Sequence, residues 1–138
     1  MFEHLLLATD SSPEAERALT AAKDLAKLAG SEVRVVHVRE GAGASRMGVA
    51  WQETHDEALA LVDQAVEALR AAGVTASGVV RASISGHVAR EILDEADDAH
   101  ASTIVMGTRG LSDLSGIVIG STAHKVLHLG KTPVLVVR

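Results

Sequence analysis

The first apolar run of the chain, Leu5-Leu6-Leu7-Ala8, is hydrophobic at every position over the length of a strand. A strand with one face in water alternates polar and apolar residues, whereas a run without alternation has both faces covered. This run, His4 to Thr9 with its flanks, predicts a central strand of a parallel sheet with helices above and below. Asp10-Ser11-Ser12-Pro13-Glu14 then announces a helix. Ser12 suits the N-cap, Pro13 the first helical position, and Glu14 and Glu16 the positive end of the dipole. Ala15, Ala18, Leu19, Ala22, Leu25, Ala26 and Ala29 recur at helical spacing until Gly30. So many alanines imply close packing on the sheet.

The alternation continues to the last residue. Glu32 to Val38 reads as a second strand and Trp51 to Ala72 as a second helix, with Gly73 as its stop. Between them, Glu40 to Ala50 carries Gly41, Gly43 and Gly48 among small residues and predicts a mobile loop. It is not a Walker loop, because Val49 stands where lysine is required. Thr75 to Ala82 is a third strand whose weaker patterning suits an edge. A third helix opens at Ser85-Gly86-His87-Val88, with Val88, Ile92 and Ala96 on its buried face. Its acidic end (Asp94, Glu95, Asp97, Asp98) opposes the dipole, and only solubility accounts for it in the sequence. Ser102 to Met106, Ser121 to Leu129 and Pro133 to Val137 complete strand, helix and strand. Five strands alternating with four helices predict one α/β domain over 1–138, with helices on both faces of a parallel sheet. Ligands in such sheets bind beyond the C-terminal strand ends.

Two candidate segments fall at such ends, Asp10 after the first strand and Gly107-Thr108-Arg109-Gly110 after the fourth. Nine residues further on comes Gly120-Ser121-Thr122 at a helix start. Glycines between a strand and a helix N-terminus gather backbone N–H groups with no side chains in the way, a physical recipe for holding phosphate. Gly107 and Gly110 permit a positive φ or a close approach, and the hydroxyls of Ser121 and Thr122 can cap the helix or bond a phosphate oxygen. Turn chemistry alone is the plain competing reading of these glycines, as it is for Asp10.

The pattern Gly-x2-Gly-x9-Gly-Ser, with Asp10 after the first strand and the closing Pro133-Val-Leu-Val-Val, resembles the universal stress protein family over essentially the whole chain. The resemblance is to its nucleotide-binding branch. It implies a three-layer α/β/α fold with a five-stranded parallel sheet in the order 3-2-1-4-5, placing strands one and four side by side. It also implies ATP as ligand, with Mg²⁺ or Mn²⁺ carried through the phosphates. By the same resemblance Thr9, Asp10 and the Val38 backbone meet adenosine. Gly107, Arg109 and Gly110 then wrap the ribose and phosphates, and Gly120, Ser121 and Thr122 hold the phosphates. A homodimer through Val134 to Val137 is implied too, in keeping with a short apolar strand that invites pairing at an edge.

Composition excludes several other classes. Thirteen basic residues against 18 acidic give a net charge of −5 with no basic run, and Phe2 and Trp51 are the sole aromatic residues besides histidines. A nucleic-acid binder needs a basic face and stacking aromatics, so none is expected. No run approaches the ~18 apolar residues of a membrane span, the N-terminus does not read as a signal peptide, and cysteine is absent. A cytoplasmic protein is the expectation. His124 and His128 stand four apart on the last helix without a third metal ligand, so no metal site is expected. Ser112 lacks the second glycine of a hydrolase elbow. Rapid ATP hydrolysis is not expected, since no base or ligand cluster to activate water is visible. The rival readings are a dimeric adaptor with an empty site or one filled by AMP or cyclic AMP, and an adenylating ligase. The ligase loop has glycines that Thr9-Asp10-Ser11-Ser12 lacks.

Overall fold

A computed structural model describes residues 1–108 and 119–138. The sheet contains β1 (His4–Ala8), β2 (Glu32–Ser45), β3 (Gly48–Trp51), β4 (Ala76–Ile84), β5 (Thr103–Gly107) and β6 (Val134–Val137). The helices are α1 (Pro13–Ala29), α2 (His55–Ala71), α3 (Val88–Asp98) and α4 (Ser121–Leu129). The parallel strands lie in the order β4-β2-β1-β5-β6, which is the expected 3-2-1-4-5 arrangement. β1 is central, with Leu5 beside both Val33 and Thr103. Alternate residues of its apolar run feed two cores. Leu5 and Leu7 pack with Val33, Val35 and Val105 under α1 and α2. Leu6 and Ala8 pack with Val36, Ile104 and Met106 under α3 and α4.

The local signals of α1 are realised in detail. The Ser12 hydroxyl accepts from the Ala15 amide at 3.1 Å, and Gly30 closes the helix at φ 70°, donating to Ala26 O. Ala15, Ala18, Ala22 and Ala26 form its buried stripe, and with single methyls the helix lies close on the sheet. α2 uses glycine on the other side of the contact. A Cβ on Gly78 of β4 would fall against Val62 Cγ1 and 2.9 Å from Val66 Cγ2.

Three expectations are corrected. The stretch from Glu40 to Ala50 is a hairpin and not a loop, because β2 runs on to Ser45 and turns back as β3. Among the described residues the sheet therefore has six strands, one of them antiparallel. Gly41 pairs with Ile84 on one edge of β2 and with Trp51 on the other. β3 thus occupies the edge that β1 uses lower down, beyond the end of β1. The second helix begins at His55 and not at Trp51. Thr54 caps it, accepting from the Glu57 amide at 3.1 Å, and Thr54-His-Asp-Glu57 is a capping-box pattern.

The acids of α3 also gain a reason beyond solubility. Glu91, Glu95 and Asp98 recur along one face of α3 and meet two arginines of the sheet. Arg81 Nε donates to Glu91 at 2.8 Å, and its Nη1 donates to Glu95 at 2.8 Å and to Asp98 at 3.2 Å. Arg34 Nε donates to the other oxygen of Glu95 at 2.9 Å. Glu95 is 4% exposed, so both its carboxylate oxygens are paired in a dry place. The Glu91 hydrogen bond, outweighing burial and joined by those to Glu95 and Asp98, raises the Arg81 pKa above its already high usual value.

Candidate functional site

At the C-terminal ends of β1 and β5, beside the middle of β2, lies a crevice of about 850 Å³. Thr9, Asp10, Val38, Gly107 and Thr122 all line it. Parallel strands bring these distant positions together, because each one is followed by its connection at the same edge of the sheet. Val38 belongs to the apolar floor with Val36, Ile92 and Met106. Asp10 carries out the turn role: its Oδ1 accepts from the Ser12 amide at 2.8 Å. That hydrogen bond fixes the carboxylate at the crevice wall, so turn and ligand roles are compatible in one residue.

The glycines differ in what they do. Gly107 ends β5 where α1 begins, and a Cβ there would sit 2.8 Å from Glu14 Cβ. Its bareness is needed for packing against α1. Gly120 is the N-cap of α4, with its carbonyl accepting from His124 N at 2.9 Å and its amide donating to Thr108 O. The chain is thereby pinned across the crevice from β5 to α4. The first-turn amides of α4 have no partners within the helix, and Thr122 and Ala123 of that turn line the crevice. Ser121 is exposed and outside the lining. Arg109, Gly110 and Ser112 lie outside the described residues.

The opposite wall was not anticipated from the sequence. His37 of β2 is 8% exposed. Its Nδ1 meets Thr9 O at 2.8 Å and its Nε2 meets the Glu53 carboxylate. Arg39, two residues on, donates to Glu53 O at 3.0 Å, and its guanidinium carbon lies 4.5 Å from the Trp51 ring centroid, within cation–π range. The sequence signal available was a histidine and an arginine alternating with valines in Val-Val-His-Val-Arg. Gln52 and Glu53, which follow β3, form part of the crevice lining. Among the described lining residues, Asp10, Glu40, Glu53, Glu57, Asp63 and Glu67 bring carboxylates, and no Lys or Arg joins them. A second hollow, of about 450 Å³, lies at the N-terminal strand ends beside the Arg34–Glu95 pair.

The universal stress protein family matches residues 1–138. The chain belongs to that family. A universal stress protein of Thermus aquaticus is 37% identical over 141 residues, covering all of both chains. The universal stress protein YxiE of Bacillus subtilis is 34% identical over 151 residues, again covering all of both chains. Among solved structures, the universal stress protein from Archaeoglobus fulgidus in complex with dAMP aligns with a TM-score of 0.69 at 26% identity, covering 100% of this chain and 98% of that one. The α/β architecture of the family is thus present here, with the β2–β3 hairpin added to the expected five-stranded sheet. No described helix is long and apolar enough to cross a membrane.

Proposed function

We propose that this universal stress protein binds an adenine nucleotide in the crevice, and that occupancy is a regulatory signal in the cytoplasm. The observation that carries the reading is the convergence of Thr9, Asp10, Val38, Gly107 and Thr122 on one crevice. The dAMP complex of the Archaeoglobus relative supports the choice of adenine. Asp10 and the Val38 backbone hold adenosine. Gly107, Arg109 and Gly110 wrap the ribose and phosphates, and the phosphates rest on Gly120, Ser121 and Thr122. With ATP, a Mg²⁺ or Mn²⁺ ion travels with the phosphates. The ion offsets the repulsion between a polyphosphate and the carboxylates of the crevice. The protein acts as a homodimer through β6, within a single domain spanning 1–138, and as a switch more than as a hydrolase.

The same carboxylates favour a second reading, in which the ligand is a monophosphate such as AMP, with less charge to offset. Calorimetric titration of ATP with Mg²⁺, of AMP and of adenosine into wild type and Gly110→Val tests both. Micromolar ATP binding, about −8 kcal/mol, lost in a still-folded Gly110→Val, supports the ATP reading. Tighter AMP than ATP binding selects the second. No heat from any of the three overturns both.

A further inference from the structure

We propose that His37 and Glu53 form a proton-operated latch that fastens the hairpin wall of the crevice to the end of β1. The argument is one of donors and acceptors. Thr9 O is a carbonyl and only accepts, so Nδ1 of His37 carries a hydrogen. Nε2 faces a carboxylate, which when ionised also only accepts. Both contacts are hydrogen bonds together only when the pair holds one proton more than a neutral imidazole and a free carboxylate possess. Remove that proton, and the Nε2 lone pair confronts a carboxylate in a place 8% exposed, where water substitutes poorly. Imidazole is the side chain whose ordinary titration falls between about pH 5 and 8.

The latch joins the end of β1 to the β3–α2 connector by side chains, where backbone bonds tie each of them to β2. Thr9 directly precedes Asp10, and its amide already donates to Val36 O at 2.9 Å. Glu53 lies in the connector from β3 to α2, held by its carbonyl to Arg39. With both ring nitrogens occupied, His37 is a strut and not a base for water. The charged groups facing the crevice beside it are Asp10 after β1, Glu40 on β2, and Glu57, Asp63 and Glu67 on α2. Arg39 is the nearby cation. α1, α3 and α4 contribute Ala15, Val88, Ile92, Thr122 and Ala123, none of which titrates. The sign follows: the hairpin is latched while the extra proton is bound and loosens as pH rises through the titration of the pair.

Trp51, the single tryptophan, sits on β3 against Arg39 and reports the hairpin without any ligand. Its emission is followed from pH 5.5 to 8.5 in wild type and in Glu53→Gln, with the fold checked by circular dichroism. A Gln amide donates to a neutral Nε2 and its oxygen accepts from a protonated one, so this variant stays latched throughout. The expected result is a one-proton transition in wild type that is absent in Glu53→Gln, with ¹⁵N shifts of the His37 ring showing both nitrogens protonated on the acid side. An unchanged transition in Glu53→Gln, or a flat wild-type profile, overturns the latch. The consequence for ligand rests on the proposed function: affinity for ATP should fall by up to about tenfold per pH unit above the midpoint, and only in wild type. A Trp51 transition without any ATP binding supports the latch and overturns the nucleotide reading instead.

Discussion

Gly78 and Val62 meet across the β4–α2 contact so closely that a single added carbon has no room; the nearest alternative space is closed by Val66 Cγ2 at 2.9 Å. Gly78→Ala should therefore destabilise the fold by about 1–3 kcal/mol, the range for overpacking a well-filled core. Chemical denaturation with urea measures it. Val62→Ala on the same chain should recover part of the loss, because the two changes share one cavity and do not add.

Arg81 holds three carboxylates, one of them almost wholly enclosed. Arg81→Met should cost about 1–3 kcal/mol, since Glu91 loses its partner and Glu95 keeps only Arg34. The double variant Arg81→Met/Glu95→Leu should unfold at higher urea than Arg81→Met alone, because no half-paired charge then stays buried.

Gly107→Ala separates packing from ligand contact. The new Cβ pushes on Glu14 at the start of α1, so stability should fall by about 1–3 kcal/mol even without nucleotide. An unchanged midpoint in urea would show that α1 gives way freely.

Because carboxylates line the crevice, ATP affinity should depend on divalent cation far more than AMP affinity does. Titrations in excess chelator are expected to weaken ATP by tenfold or more, about 1.4 kcal/mol, and to leave adenosine unmoved.

β6 pairs with β5 alone among the described strands, and Leu135 on it is 39% exposed. On the proposed homodimer, light scattering at micromolar concentration should give a dimer for wild type and a monomer for Leu135→Lys, since an edge lysine opposes strand pairing.

The sequence was most legible where a signal acts over a few residues. Ser12, Pro13 and Gly30 bound α1 because each contacts its own helix, and the unbroken Leu5–Ala8 run had to be covered on both faces. The hairpin was not legible. Gly41, Gly43 and Gly48 look like loop, and strand there depends on an edge of β2 left open beyond β1 and on Arg39 lying over Trp51. The Thr54–Glu57 cap was legible in principle, since Thr-x-x-Glu precedes the apolar face of α2. Asp10 lines the crevice from just beyond the end of β1, and Val38 from within β2, which runs on past it to Ser45. His37 with Glu53 could not be read, since their partnership is made by that same hairpin.

The turn that joins β2 to β3 also has a practical side. Met47 at its tip is 97% exposed and Gly48 follows at φ 96°, so residues inserted between Arg46 and Met47 would enter solvent while the ladder on either side kept its pairing. A dye or short peptide grafted there would ride on the wall that Glu53 fastens, a tether from which filling of the crevice becomes visible.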